Sequence, residues 1–565
     1  MGRTPGELCG RQVLRRALAE VGPGGRAVDH SLFRGMRRVC LSAHTGAGFC
    51  MGISLDLHGR DNDGSVAFRP REGISGFEKA PRHCRGGDPP RRLSPLMLFP
   101  EMPDQGDKRR TIGAQGPRQA TGPVAVAMLG GRRHYAVARA LHAAGLLDCL
   151  FTDLWAHCWV CRALALAPGV CSLPGMRHLL NRRHEDIPAE KVVQFPLWGL
   201  WRLAARAGRV STASIYRFYA AQNSRFCSRV AAAARSRTPA AFYAFNAAAL
   251  EIFEACCLRG VRCILDQAAA PWEYDEQLLA EERDHWPDWE AGQVREDDWR
   301  PLAKRERQEW ELADRIVCGS AHVVEAVKAS GGPFEKCEVV PYFAFGGGDN
   351  LVASRGPDGT LIDRTRPDGR CRVLFVGTLC LRKGIQYLWE AARLLSSERA
   401  CGRVMLRAIG TQALSQSGIR ALREVMEVLP PVARPDLAGH YRWADVLALP
   451  SLSEGSANVG YEALAAGLPL IVTAQSGLPV QDRREAVLIP ARSGRAIAEA
   501  IRHFLDRPQE LAEMSAAALR TAATLSESSY AERLVKAIAH GSEFRVREMA
   551  GSRDPSEKPD GTRSV

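Results

Sequence analysis

At 565 residues the chain is too long for one hydrophobic core, and three or so domain-sized units are expected. Hydrophobic residues at 46% and charged residues at 25% are ordinary for a globular protein. The net charge of +13 suggests nucleic acid at first, but residues 1–120 hold 20 Lys and Arg against 12 Asp and Glu, which accounts for +8. The remaining body is only mildly basic. That excludes a nucleic-acid partner as the expectation and suits phosphate-bearing ligands or an anionic membrane surface.

The 17 cysteines are an odd, scattered set, and MGRTPGELCGRQVLRRALAE has no apolar core of a signal peptide, so free thiols in a reducing cytoplasm are expected. Cys158 and Cys161 have a CxxC spacing, but no second pair stands at a zinc-site distance, so buried thiols are the reading and no metal site is expected. No apolar run reaches the roughly 18 residues that span a bilayer.

Residues 1–120 are dense in Gly, Arg, Pro and Asp and show no sustained periodicity, so no folded domain is expected there. Two readings stand: a disordered basic tail, or an extension translated from an early start codon, with Met97 or Met102 beginning the protein. The second is preferred. Order begins at Val124. PVAVAMLGGRRHYAVARALHAAGLL reads as strand, Gly130-Gly131 turn and helix, the opening of a doubly wound domain. LLDCLFTDLW is a second strand, and residues 155–237 read as mostly helical. Arg182, Arg183, His184, Trp198 and Trp201 fall in that region, either on a membrane-facing patch or, more simply, in the core. AAFYAFN and VRCILDQ are further strands, the latter placing Asp266 and Gln267 at a carboxyl-end tip. DRIVCGS, a helix from His322 to Ala329, and KCEVVPYF complete a first domain over residues 121–345.

Residues 346–370 are Gly/Pro/Asp punctuation and read as a hinge. A second set of buried apolar strands alternating with helices follows over 371–545: CRVLFVGTL, VMLRAIG, WADVLALP and LPLIVTA, which implies a parallel sheet. Residues 546–565 are a polar tail. The organising stretch is Ala444 to Pro469. There an apolar run meets a small-residue loop carrying Glu454 and Gly455, then an Ala/Leu helix with Glu462 that stops at Gly467-Leu468-Pro469. Strand, loop and helix in that order present a helix N-terminus to a phosphorylated ligand.

RVLFVGTLCLRKGIQYLWEAARLL, ADVLALPSLSEGSANVGYEALAAGLPLIVTAQSGLP and EAVLIPARS together resemble the retaining glycosyltransferases of family 4. ADRIVCGSAHVVEAV followed by EVVPYF resembles the same family's closing segment of its first domain. The resemblance is specific over about 313–530, weaker over 123–310 and absent before 120. It implies an α/β chain of GT-B fold, with two doubly wound Rossmann-like domains facing across a cleft. It also implies transfer of a sugar, with retention of configuration, from a nucleotide-diphosphate sugar to a glycan, lipid-linked or small-molecule acceptor. Polysaccharide biosynthesis at the cytoplasmic side, with peripheral contact at the inner membrane face, is the setting it implies.

By the same resemblance Lys383 corresponds to the diphosphate-binding lysine, with Arg382 beside it able to add a bidentate contact. Glu462 corresponds to the ribose-binding carboxylate and Glu454 to the glutamate that touches the donor sugar. Backbone amides over Gly455, Ser456, Ala457, Asn458 and Val459 are expected to face the phosphates, with Gly377 and Thr378 beside them. Two departures stand out: Thr378 replaces an arginine common after Gly377, and Gln267 stands where a histidine is common. Gly130, Gly131, His134 and Gln267 are the acceptor-side candidates. No Asp-x-Asp stands at a strand end, so neither a metal nor another cofactor is expected. An NAD(P)-dependent oxidoreductase would need a full GxGxxG with a following acid, which neither domain has. A non-catalytic nucleotide-sugar-binding protein on the same fold is the alternative.

Overall fold

The computed structural model describes residues 41–44, 50–53, 122–156, 179, 182–207, 211–290, 292, 294–344, 368–396 and 402–539. Within residues 1–108 these form one antiparallel pair, β1 (Leu41–His44) and β2 (Cys50–Ile53). The expected hinge at 346–370 falls almost wholly outside the described residues, as do Cys158 and Cys161.

The first sheet-bearing domain begins with β3 (Val124–Met128), α1 (Ala136–Ala143) and β4 (Leu147–Thr152). β5 (Val192–Gln194), α2 (Pro196–Ala207), α3 (Thr212–Ala233) and β6 (Ala241–Phe245) follow. Next come α4 (Leu250–Cys257), β7 (Arg262–Gln267), α5 (Trp272–His285) and α6 (Glu296–Leu312). β8 (Arg315–Cys318), α7 (Ala321–Ala329) and β9 (Cys337–Val339) close it. Its seven strands run parallel in the order β5-β4-β3-β6-β7-β8-β9. The central strands β3, β6 and β7 are buried at every position; β3 and β6 are apolar runs covered on both faces, while β7 also buries Arg262, Asp266 and Gln267.

The second domain starts with β10 (Cys371–Val376), α8 (Ile385–Ser396), β11 (Val404–Ile409), α9 (Gln416–Val425) and β12 (Glu427–Leu429). It continues through α10 (Arg434–Trp443), β13 (Val446–Leu449), α11 (Asn458–Ala465), β14 (Leu470–Thr473) and β15 (Ala486–Ile489). Three helices end the described chain: α12 (Gly494–Asp506), α13 (Pro508–Thr524) and α14 (Glu527–Ala539). The six strands are parallel in the order β12-β11-β10-β13-β14-β15. Both sheets are doubly wound, so the fold class expected from the sequence is the one present. In each, the strand order reverses beside its first strand, between β3 and β6 and between β10 and β13. At such a reversal the two following helices lie on opposite faces, and a crevice opens at the carboxyl ends of the strands.

The last helix does not stay with the second domain. Tyr530, Leu534, Ala537 and Ile538 of α14 pack with Val137 and Leu141 of α1 in a first-domain core. Arg139 pairs with Glu527 at 2.6 Å, and Arg262 donates to the Ile538 carbonyl at 3.1 Å. No period in the sequence marks this return, because an amphipathic helix shows that it has an apolar face but not which surface covers it.

A second bridge is made by α5 and the loop after it. Glu282 accepts from Gln386 and Tyr387 of α8, both at 2.9 Å, and from Arg492 at 2.6 Å. Trp286 and Trp289 pack edge-on against Trp389. Truncating the fully buried Leu534 to Ala should destabilise the protein by about 2–5 kcal/mol. Hydrogen exchange should show faster opening in α1, which α14 covers; exchange altered only in the second domain would contradict the packing.

Candidate active site

The loop after β10 is shaped by two glycines. Gly377 has φ +148 and Gly384 has φ +70, a left-handed conformation that favours glycine. A Cβ on Gly384 would stand 1.9 Å from the Pro450 carbonyl oxygen, so only hydrogen lets this loop lie against the end of β13. Between them a short turn, Leu381–Lys383, aims its two cations at the β13–α11 loop.

Glu454 sits in that loop, 8% exposed. Lys383 is ion-paired with its Oε1, Arg382 Nη1 stands 3.5 Å from its Oε2, and Ser451 Oγ donates to Oε1 at 3.3 Å. Burial works against its charge, yet Lys383 and Arg382 hold the carboxyl below its ordinary range. Arg382 also donates to the Ser453 carbonyl at 2.6 Å, and its own pKa is raised because Glu454 and Asp275 outweigh desolvation. Two cations thus face one carboxylate. This cluster lies at the reversal point of the second sheet, beside the N-terminus of α11.

Glu462 is in the second turn of α11, 7% exposed, and accepts from Tyr441 Oη at 2.9 Å. Of the small loop residues, Gly455 makes the closest approach to the first domain. A Cβ there would be 1.9 Å from the Ala268 carbonyl oxygen, and the Gly455 carbonyl accepts from Ser320 Oγ at 2.6 Å. Ser456 Oγ is engaged with Tyr461 Oη and the Gly477 carbonyl, both at 2.7 Å. The Ala457 amide donates to the Ser476 carbonyl at 3.0 Å and so does not face a ligand. Asn458 is exposed, Val459 half-buried, and Thr378 exposed.

A cavity of about 620 Å³ lies between the two sheets. Gly130, Arg382, Glu454, Gly455, Ser456 and Asn458 are among its walls, while Lys383 reaches it through Glu454. Gly131 and His134 are exposed beside it without lining it.

Gln267 departs from expectation. It is fully buried with Nε2 donating to the Ala269 carbonyl at 3.0 Å and to Glu306 at 2.8 Å, while Oε1 accepts from Trp310 at 3.0 Å. It is a core residue turned away from the cavity, because α6 supplies a matched acceptor and donor at the strand tip. Asp266 next to it pairs with Arg133 at 2.5 Å and accepts from Tyr243 at 2.6 Å. Trp198 likewise stacks on Phe226, whereas Leu197 and Trp201 on the same helix are 70% and 50% exposed.

Residues 370–507 match the family Glycosyl transferases group 1. The matched segment runs from β10 through α12 and carries Lys383, Glu454 and Glu462. Over 255 residues the chain is 30% identical to a D-inositol 3-phosphate glycosyltransferase of Arthrobacter sp. (strain FB24), which spans 40% of this chain and 59% of that protein. A protein of the same name from Kineococcus radiotolerans is 31% identical over 269 residues, 43% of this chain and 61% of its own length. The chain therefore spans about three fifths of the curated relatives it matches. Among solved structures, Anabaena HepE in complex with UDP aligns with a TM-score of 0.47 at 14% identity, over 74% of this chain and 98% of that one.

Several residues around the Glu454 cluster come from the first domain and carry no motif. Asp275, in the first turn of α5, accepts from Ser453 Oγ at 2.5 Å, and His322 Nε2 lies 3.3 Å from the same hydroxyl. His322 is lowered to about 4 by burial, against the pull of Glu454, so it is neutral at pH 7. Glu276 accepts from Tyr216 Oη at 2.6 Å and pairs with Arg283 at 3.1 Å. The one hint in the sequence is the acid-rich start of α5 directly after a strand tip, a pattern that also serves simple dipole compensation.

Replacing Gly384 with Ala should cost about 1–3 kcal/mol for the left-handed backbone alone, before the overlap with Pro450. A lower melting temperature, read by calorimetry, is expected; unchanged stability would show that the loop can move away. Burial raises Asp275 from 3.8 to about 6, while Arg382 and Ser453 oppose the shift. Between those values the native state holds a proton that the unfolded chain has released. Its contribution to stability is therefore complete below 3.8 and lost as pH rises to about 6. Asp275→Asn should remove that part of the decline in Tm between pH 4 and 7; an unchanged slope would assign the decline elsewhere.

Proposed function

We propose that this protein is a glycosyltransferase of family 4 type, which moves a sugar from a nucleotide-diphosphate sugar to an acceptor held in the cavity between the two domains. One observation carries the reading: a buried carboxylate, Glu454, shared by Lys383 and Arg382 at the reversal point of the group 1 domain's sheet. The relatives named as glycosyltransferases support it.

In this reading the donor diphosphate binds where Lys383 now meets Glu454. Phosphate oxygens take over Lys383 and Arg382, and the freed Glu454 accepts hydrogen bonds from the donor sugar's hydroxyls. Glu462, with one oxygen held by Tyr441, accepts from the ribose hydroxyls. As the bond between the anomeric carbon and the phosphate oxygen breaks, negative charge grows on the diphosphate. Fixed cations and the start of α11 stabilise it without reorganising. The acceptor hydroxyl attacks from the same face, and its proton passes to the leaving phosphate oxygen. A new glycosidic bond, retained configuration and a nucleoside diphosphate result. Neutral His322 and buried Gln267 take no proton in this scheme. Lys383, Arg382 and the helix start are the charges the step needs, so no metal is assigned a role.

No helix among the described residues is long and apolar enough to cross a membrane. We place the reaction in the cytoplasm, with the exposed Leu197 and Trp201 of α2 as the surface for any contact with the inner membrane face.

The test is release of nucleoside diphosphate from a panel of nucleotide sugars. Lys383→Ala should lower turnover by about 10²–10³-fold, the usual effect of removing one preorganised charge at a developing anion. Glu462→Ala should mainly weaken donor binding. Product anomers assigned by NMR read out retention, and turnover should survive a chelator. Binding of nucleotide with no release from any donor would make the protein a nucleotide-sugar-binding protein instead.

A further inference from the structure

The turn Leu381–Lys383 carries both cations of the Glu454 cluster, and its two ends are held by different domains. At its far end the second domain does the holding. The Arg382 carbonyl accepts from the Leu452 amide at 2.9 Å, and the Arg382 side chain donates to the Ser453 carbonyl at 2.6 Å. At its near end Cys380, which precedes the turn, makes no side-chain cap. The Leu381 amide donates instead to Glu290 Oε1 at 2.8 Å, and Glu290 comes from the segment after α5 in the first domain. The first amide of a helical turn has no partner inside the turn, and a carboxylate gives it a charge-assisted one.

The segment that brings Glu290 there is itself docked on the second domain. The Trp289 carbonyl accepts from the Ser415 amide at 2.8 Å, and Glu290 forms an antiparallel bridge with Leu414, in the loop after β11. The Asp288 carbonyl accepts from Ser417 Oγ at 2.9 Å and from Ser415 Oγ. On the first-domain side Arg283 Nε stands 4.0 Å from Glu290 Oε2, while its Nη2 pairs with Glu276 at 3.1 Å. The Glu290 side chain is 18% exposed, so its direction is set by these neighbours.

The Leu381 carbonyl is anchored to the same helix and loop. Gln386 Nε2 donates to it at 3.0 Å and also to Glu282 Oε2 of α5 at 2.9 Å. Both polar groups of the Leu381 backbone thus depend on first-domain carboxylates, Glu290 directly and Glu282 through Gln386. Arg382 and Lys383 are the next two residues. Glu290 does not line the cavity, so anything it does for a ligand it does through the turn.

On the reading that this chain transfers a sugar, we propose that Glu290 is a positioning residue, which caps Leu381 from the first domain and thereby sets Arg382 and Lys383 against the donor diphosphate. The cations are then in place only while the two domains meet at this segment. Departure of a diphosphate is sensitive to where the charges stand, and a misplacement of about 1 Å costs up to about 10²-fold in rate.

The full chain is titrated by calorimetry with UDP, GDP and ADP and with the matching nucleosides, and turnover is read as nucleoside diphosphate released from a nucleotide-sugar panel. Glu290→Ala should weaken the best-bound diphosphate about tenfold or more and lower turnover by roughly 10–10²-fold, with nucleoside affinity within about twofold. Glu290→Gln keeps an acceptor at the same reach and should stay within about threefold of the wild type. Glu290→Asp keeps the charge but withdraws it by one methylene, and should behave like the alanine variant; it serves if that variant fails to fold. In a Lys383→Ala background, Glu290→Ala should cost at least about threefold less than it does alone, because residues that act as one unit are not additive. Full additivity with Lys383→Ala, an equal loss of nucleoside affinity, or a glutamine variant as impaired as alanine overturns the proposal. Turnover that ignores Glu290 overturns it too and leaves the transferase reading standing. Release from no donor sinks that reading, whereas diphosphate binding that depends on Glu290 and Lys383 together still supports the positioning of the cations.

Discussion

A carboxylate taken out of water must be matched, and at Glu454 the match comes from the neighbouring loop. Lys383 and Arg382 reach it because Gly384 lets the β10 loop lie on the Pro450 carbonyl, which a side chain would forbid. The ion cluster and the backbone approach therefore require each other. Together they fix the two loops at the sheet's reversal point, where Asp275 also draws on Arg382 and the helix start of α11 adds its own partial positive charge.

The same demand for matched burial ties the two domains. Ser453 bridges the β13 loop to Asp275, Ser320 meets Gly455, and Glu282 gathers Gln386, Tyr387 and Arg492. α14 crosses back to cover α1. Any opening of the cleft must break several of these contacts, and the small residues at 455 and 268 are what allow the walls to touch. The cavity lining is mixed in charge: Asp275, Glu276 and four arginines come from the first domain, and Arg382 and Glu454 from the second.

Much of this is legible in the amino-acid order alone. Strands such as Val373–Val376 and Val446–Leu449 are apolar runs bounded by Gly and Pro, and burial on both faces leaves such a run little choice. Short strands escape: β5 and β12 have three residues each, too few for a pattern. Glu454, Lys383 and Glu462 can be named because each sits a few residues from a glycine or helix start that fixes its place locally. Gln267 reads wrongly as a cleft residue for the opposite reason. Its position at a strand tip is local, but the direction of its side chain is set by Glu306 and Trp310, about forty residues later.

The sequence by itself determined two doubly wound domains and the loop that carries Glu454, since periodicity, turn residues and spacing act within some twenty residues. Only the tertiary structure decided the arginine lining of the cavity. Arg132, Arg182 and Arg202 are scattered over three elements, and Arg182 reads equally well as part of a surface patch. They converge because Asp153 needs more than one partner once buried and Gly199 lets α2 approach it. Charge matching between distant segments leaves no period in a sequence, and it is what gives this cavity its charged lining.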